Sequence, residues 1–294
     1  MASNINGAIH HTGVFLSWHR YALSLWEDAL RDECGWRGGL AYWDWHRDTP
    51  EAGADWLQSP LFDTVSGYGG NGQRVNASAP AGGIAVGGTG GGCVLDGPFQ
   101  NRTLSIGPMG QMLLNNTRCL TRNFNVKVAY MSASSKSMRK ILGAKSMAES
   151  RQLAESSVES RRAMSEGGNI DSFGSMHSIG HVGIGGEASS LTLVVFSQMS
   201  DLFNSINDPL FFPHHAGLDR VWALWQEQDP KRIMDAGEAT GLSDTSPMTL
   251  DSWFWVGFAG KDRQTVEVMD ALNRDGRGVV CYKYEGNTFD SYFK

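Results

Sequence analysis

The sequence predicts a mainly α-helical protein with long irregular loops and little β-structure. Two segments, near residues 18–32 and 214–228, carry apolar residues at helical spacing. The 36 glycines indicate long irregular connections between such segments. A chain of 294 residues can bury a substantial core, and it shows neither an internal repeat nor a clear linker. We therefore expect one domain over residues 1–294.

The predicted helices end at recognisable stop signals. The helix over residues 18–32 is followed by Cys34-Gly35, which is typical of a glycine stop. A sparse apolar face predicts a second helix over residues 137–166, which precedes a Gly-Gly-Asn break. The third helix, over residues 214–228, is followed by Asp229-Pro230.

The remaining segments are predicted as loops or short strands. Residues 66–97 are rich in Gly, Ser, Asn and Ala, and they are too many for a simple connection. We expect this loop to be functional or to be held by a disulfide at Cys93. The apolar run over residues 279–284 predicts a short strand.

The charge balance excludes several classes of partner. The chain has 25 Lys and Arg against 31 Asp and Glu, a formal charge of -6. General binding of nucleic acid or of a membrane surface needs a basic patch, so we expect neither. The sequence has no run of about 18 apolar residues and no signal peptide in its first 20 residues.

The cysteines indicate an oxidising compartment. They are dispersed without a CxxC pair, at Cys34, Cys93, Cys119 and Cys281. Together with glycosylation sequons at Asn76, Asn101 and Asn115, they favour two disulfides in a glycoprotein; four free thiols in a cytosolic protein are the alternative. Four cysteines allow three pairings. Our working prediction is Cys34–Cys93 with Cys119–Cys281.

The eight histidines form two groups that suit a metal. His177 and His181 are four residues apart, so on a helix both imidazoles lie on one face and can bind one ion. Imidazole suits copper, zinc and iron, and carboxylates are scarce near these histidines. A zinc protease would need the motif HExxH, but the second position here is Ser178. Structural or surface histidines are the alternative interpretation.

Two long patterns resemble known copper signatures. The first pattern is His10-(four residues)-Phe15-Leu16-Ser17-Trp18-His19-Arg20-(two)-Leu23-(three)-Glu27. The second is Asp208-Pro209-Leu210-Phe211-Phe212-Pro213-His214-His215-(three)-Asp219-Arg220. They resemble the signatures of tyrosinases, catechol oxidases and molluscan-type haemocyanins. Shorter motifs are similar to those of the short, secreted fungal members: Cys34-Gly35-Trp36, Tyr42-Trp43-Asp44-Trp45 and Gly91-Gly92-Cys93-Val94.

The resemblance implies a four-helix bundle around a type-3 dicopper site. By position, His10 and His19 match ligands of the first copper ion. The positions that match ligands of the second are His177, His181 and His215. His11, His46 and His214 match no ligand position. Arg20 and Asp219 occupy matching places in the two signatures, and we hypothesise that they orient the helices as a charge pair.

One ligand position departs from the family pattern. A third histidine of the first copper site would fall on Ala2. We therefore expect a domain that is incomplete at the N-terminus, without its signal peptide, and that binds fewer than two copper ions. Ala8 and Ile9 precede His10, so we expect no Cys–His thioether there.

The implied activity is oxidation of o-diphenols to o-quinones, with O2 reduced to water. Monophenols and o-aminophenols stay open as further substrates. Ser178 stands where an asparagine is linked to monophenol deprotonation in the family, which favours a diphenolase; Val182 is expected in the pocket wall. The alternatives are a copper-deficient inactive relative and a haemocyanin-like O2 carrier. The resemblance also implies secretion.

Overall fold

The computed structural model describes residues 9–75, 88–107, 115–155, 175–185, 198–201, 203–236 and 248–286. Helices dominate its regular structure, which confirms the predicted mainly α fold. The described helices are α1 (Phe15–Cys34), α2 (Val126–Ser132), α3 (Ser135–Leu142), α4 (Met147–Glu155), α5 (Met176–Gly185), α6 (Phe211–Glu227) and α7 (Val266–Met269). None of them is both long and apolar enough to cross a membrane.

The strands form three small antiparallel pairs within the described residues. They are β1 (Gly72–Arg74) with β2 (Gly91–Val94), β3 (Thr103–Ile106) with β4 (Asn115–Cys119), and β5 (Trp253–Phe254) with β6 (Arg263–Gln264). Irregular chain and single turns of 3-10 helix connect them to the helices. The predicted loop over residues 66–97 therefore contains one of these pairs, and its residues 76–87 lie outside the described part of the chain.

Helices α1 and α6 agree with two of the predicted helices, and each begins three residues earlier than predicted. Helix α1 ends where Gly35 takes a left-handed conformation, with φ of 68°, and donates its N–H to the carbonyl of Leu30. Helix α6 carries Pro213 in its first turn, where no intrahelical donor is needed.

The helix predicted over residues 137–166 is divided in the structure into α3 and α4. Ser146 accepts a hydrogen bond from the N–H of Glu149, whose carboxylate accepts one from the N–H of Lys145. This pattern resembles a capping box, which starts a new helix rather than continuing the old one. Residues 156–174 lie outside the described part, so the end of the predicted helix stays a prediction.

Four helices form the bundle that carries the histidines. Helix α1 packs against α6, α6 against α5, and α5 against α2. An aromatic group is buried beside the bundle, and its members are Trp43, Trp45, Trp56, Phe62 and Phe124. The tryptophan-rich motif of the sequence thus belongs to the core.

The predicted strand over residues 279–284 is wrong. Val279 donates its N–H to the carbonyl of Glu267, and Tyr282 donates to that of Ala271. The partners are thus a short helix and the turn after it. No described strand pairs with this segment, so it bonds to α7 and the turn after α7 without joining a sheet.

The predicted disulfide pairing is also wrong. The structure has a disulfide between Cys93 and Cys119, whereas Cys34 and Cys281 are exposed thiols. The cause is local strand pairing: Cys93 lies opposite Thr121, and Val94 donates to the carbonyl of Leu120 at 2.9 Å. The chain therefore brings Cys119 next to Cys93.

Candidate metal centre

Six histidines from three helices and one preceding turn converge in the bundle. They are His10 before α1, His19 on α1, His177 and His181 on α5, and His214 and His215 on α6. The bundle joins the two groups that the sequence separates. The rings of His19 and His215 are stacked, with centroids 4.1 Å apart, and His10 lies 5.6 Å from His177.

Four of these rings form a tight set. The set is His177, His181, His214 and His215, whose ligand nitrogens lie within 4.8 Å of one another. The Nε2 atoms of His181 and His215 are 3.2 Å apart. Two imidazoles bound to one metal at about 2.0–2.1 Å with a tetrahedral angle have nitrogens about 3.4 Å apart. The observed spacing is thus close to that of two ligands on one ion.

Main-chain carbonyls set the tautomers of two rings. The Nδ1 of His19 lies 2.7 Å from the carbonyl of Phe15, and the Nδ1 of His181 lies 2.7 Å from that of Met199. A carbonyl can only accept, so in each neutral ring Nδ1 carries the proton and Nε2 keeps its lone pair. Both histidines therefore present a ligand nitrogen to the cluster.

Burial keeps the imidazoles neutral. It lowers the pKa of His19 to about 3 and the pKa of His181 to about 4. Burial, helped by neighbouring histidines, also holds the pKa values of His177, His214 and His215 well below 6.5. A metal needs the neutral form of histidine. The donor set, all imidazole, fits copper.

Two phenylalanines form the apolar wall of the cluster, and the sequence analysis did not single them out. Phe15 lies 4.7 Å from His19 and 5.0 Å from His177, between ring centroids. Phe211 lies 4.1 Å from His215. Each phenylalanine precedes the histidine of its own helix by four residues, which places both rings on one helix face. This spacing was the signal available in the sequence.

His214 was predicted to match no ligand position, yet it lies within the tight set. Its ring packs over Gly180 of α5, where a Cβ atom would stand 2.3 Å from the imidazole Cγ. It also lies 5.5 Å from the ring of Trp45. His11 and His46 lie elsewhere, beside Glu155 at 3.5 Å and Glu51 at 3.9 Å respectively.

The other predicted site residues surround the histidines. Ser178 and Val182 directly follow His177 and His181 on α5, and both are partly exposed. The hydroxyl of Ser178 lies 2.8 Å from that of Ser175. Arg20 and Asp219 form an ion pair behind the cluster. Ala2, the expected position of a further histidine, lies outside the described residues.

Comparisons with known proteins identify the family of this chain. A family profile described as the common central domain of tyrosinase matches residues 1–228. The chain is 30% identical to the oxidase hkm6 of Aspergillus hancockii over 96% of both chains. It is 29% identical to the N-acetyl-6-hydroxytryptophan oxidase ivoB of Emericella nidulans, over 96% of this chain and 78% of that one. Tyrosinase P of Aspergillus terreus is 31% identical, over 94% and 76% respectively.

A solved structure supports the same assignment. A mutant of the polyphenol oxidase from Thermothelomyces thermophila matches with a TM-score of 0.75 and 29% identity, covering 97% of this chain and 76% of that one. The fold, the buried imidazoles and the matched profile all indicate the same family. The chain therefore belongs to the tyrosinase family of copper oxidoreductases.

Proposed function

We propose that this chain oxidises o-diphenols to o-quinones with O2 at a pair of copper sites. His10 and His19 hold the first copper ion, and His177, His181 and His215 hold the second. The observation that carries the proposal is the 4.1 Å stack of His19 on His215, which joins the two histidine groups in one buried centre. Among the described residues, the Nε2 atom of His177 is buried without a hydrogen-bond partner, and binding a metal would remove that cost in free energy.

The copper ions, when bound, supply the electron transfer between the diphenol and O2. The chain's own residues prepare the site. The carbonyls of Phe15 and Met199 hold the protons on Nδ1 of His19 and His181, which leaves the lone pair of Nε2 available to bind a copper ion. The apolar rings of Phe15 on α1 and Phe211 on α6 lie against His19 and His215 and exclude water from the space beside them.

The two copper sites are expected to differ in affinity. Among the described residues, the first site has two imidazoles from this set and the second has three. A three-imidazole site binds a copper ion more tightly than a two-imidazole site, because each further neutral ligand adds a bond. We therefore expect fewer than two tightly held copper ions per chain, with the second site loaded first and the first site filled only at higher copper concentration.

The substrate class is a small phenol with adjacent hydroxyl groups. The relatives include an N-acetyl-6-hydroxytryptophan oxidase and a tyrosinase. Both names refer to a substrate with a hydroxylated aromatic ring. Ser178 offers a hydroxyl that is already bonded to Ser175, so it orients a basic water poorly. We expect catechol to be oxidised rapidly and tyrosine slowly, after a lag. Rapid tyrosine turnover without a lag would contradict the preference for diphenols.

The test is copper titration of purified protein, followed by quinone formation from catechol. We expect His215→Gln to remove tightly bound copper and activity, whereas His214→Gln and the remote His46→Gln keep both. Copper binding without quinone formation would favour an O2 carrier. Absence of tight copper from the unaltered chain would favour an inactive relative.

Secretion is part of the same proposal. Asn101 and Asn115 lie at exposed positions beside and on the β3–β4 pair, and both begin sequons. The Cys93–Cys119 disulfide joins β2 to the last residue of β4. Glycan analysis of the protein secreted by a fungal host tests this point, and unmodified asparagines would contradict it.

A further inference from the structure

Glu155, at the last position of α4, has a fully buried carboxylate that no catalytic step above uses. Its Oε2 accepts a hydrogen bond from Nη1 of Arg151 at 2.7 Å, and its side chain is 0% exposed. Its Oε1 accepts one from the main-chain N–H of His11 at 2.6 Å. One oxygen of the carboxylate is therefore bound within its own helix, and the other holds a distant segment of chain.

That distant segment carries a proposed copper ligand. His11 directly follows His10 and has φ of 61°, a left-handed conformation that is uncommon for residues other than glycine. A backbone held in this region is strained and persists only when its surroundings enforce it. The short hydrogen bond that the His11 N–H donates to the Glu155 carboxylate supplies such a constraint.

The same residue also contacts the other half of the centre. The main-chain carbonyl of Glu155 accepts a hydrogen bond from the hydroxyl of Ser175 at 2.7 Å. That hydroxyl in turn accepts a hydrogen bond from the N–H of Ser178, in the first turn of the helix that carries His177. Glu155 thus links the turn of His10 to the start of α5.

We propose that Glu155 is a positioning residue that holds His10 against His177 and thereby sets the separation of the two copper half-sites. The rings of His10 and His177 lie 5.6 Å apart, and those of His10 and His19 lie 5.8 Å apart. The consequence for copper rests on the proposed function, whereas the positioning of His10 itself concerns the metal-free protein.

The experiment compares Glu155→Ala with a matched control, Glu267→Ala. Glu267 likewise accepts a hydrogen bond from the side chain of Arg263, four residues away, and another from the main-chain N–H of Gln264. Glu267 belongs to α7, which carries none of the clustered histidines. The first readout is the set of imidazole NMR signals in metal-free protein, and the second is anaerobic titration with cuprous ion.

In Glu155→Ala we expect the His10 signals to shift and broaden while those of His181 and His215 stay in place. We expect its weaker copper site to lose roughly tenfold or more in affinity. Glu155→Gln keeps an oxygen that can accept from His11, so His10 should stay close to its native state even if Glu155→Ala folds poorly. Glu267→Ala should lower stability without moving His10.

Two results would overturn the proposal. One is a Glu155→Ala protein with unchanged His10 signals and an unchanged copper titration; the other is a Glu267→Ala protein that moves His10 equally. Failure of the unaltered chain to take up copper would instead count against the proposed function. The positioning role of Glu155 would still be tested in that case, because the NMR comparison uses metal-free protein.

Discussion

Arg20 on α1 and Asp219 on α6 form a buried ion pair, with 2.7 Å between Nε and Oδ1. Their side chains are 0% and 2% exposed. Arg20 directly follows His19, and Asp219 follows His215 by one helical turn. The pair therefore joins the two helices immediately behind the stacked histidines.

The aspartate is also the acceptor for two tyrosines from the C-terminal segment. The hydroxyls of Tyr282 and Tyr284 both donate to Oδ2 of Asp219, the latter at 2.7 Å. Burial raises the pKa of each tyrosine well above 10, which keeps both hydroxyls protonated as donors. Arg20 further donates to the carbonyl of Met269 at 2.7 Å.

Replacing Asp219 with asparagine should destabilise the protein strongly. The variant leaves the Arg20 guanidinium buried without its counter-charge, which typically costs about 3–5 kcal/mol. Copper binding should weaken too, because α1 and α6 lose their tie. Denaturant unfolding measures the first effect. The matched control is Asp28→Asn, since the Asp28–Arg31 pair is exposed and should contribute little. Unchanged stability and copper binding in Asp219→Asn would refute the role of this pair.

Acid should destabilise the metal-free protein. The folded-state pKa values of His19 and His181, about 3 and about 4, lie below the ordinary 6.5. Below pH 6.5 the unfolded chain therefore binds protons that the folded chain does not, so the free energy of unfolding falls as pH drops from about 6.5 toward 4. Well above pH 6.5 the histidines are neutral in both the folded and the unfolded chain, so this loss of stability is absent there. Melting temperatures between pH 7.5 and 5 should fall, and they should fall less in His181→Gln. A flat profile would contradict this account.

Two glycines of α5 should respond in opposite directions to alanine. At Gly180 a Cβ would lie 2.3 Å from Cγ of His214, so Gly180→Ala should cost about 1–3 kcal/mol through overpacking. At Gly183 the nearest atom would be Cβ of Ala129 at an ordinary 3.6 Å. Gly183→Ala should therefore be neutral or stabilise by up to about 1 kcal/mol, through helix propensity. Equal effects at both sites in denaturant unfolding would disagree with the packing of His214.

Mass mapping without reduction should recover a peptide that links Cys93 to Cys119. Cys34 and Cys281 should react with an alkylating reagent in the folded protein, because both are exposed thiols. Cys93 and Cys119 are 26 residues apart, so reduction of their bond should lower stability by about 3 kcal/mol. Cys34→Ala is the control and should change stability little. A linked Cys34–Cys93 peptide would restore the pairing expected from the sequence.

Local patterns account for the parts of the fold that sequence analysis predicted well. Helices α1 and α6 carry strong apolar periodicity and clear stop signals, so their bounds differ from the predicted ones by only a few residues. The division between α3 and α4 was not predicted, because the capping residues Ser146 and Glu149 lie inside a continuous stretch with sparse apolar residues. Residues 279–284 have strand-like composition. Whether they join a sheet depends on which segment packs beside them, and local sequence does not reveal that segment.

The residue types and their spacing are readable in the sequence: imidazoles four residues apart, phenylalanines one turn before two of them, and an arginine and an aspartate shortly after a histidine. These are periodic properties of single helices, so they can be derived without the fold. The long-range contacts follow from the folded structure alone: the stack of His19 on His215, the packing of His214 over Gly180, the Cys93–Cys119 disulfide and the hydrogen bond from the His11 N–H to Glu155. Each depends on how separate elements pack, and packing is set by the shape of the whole core rather than by any one segment.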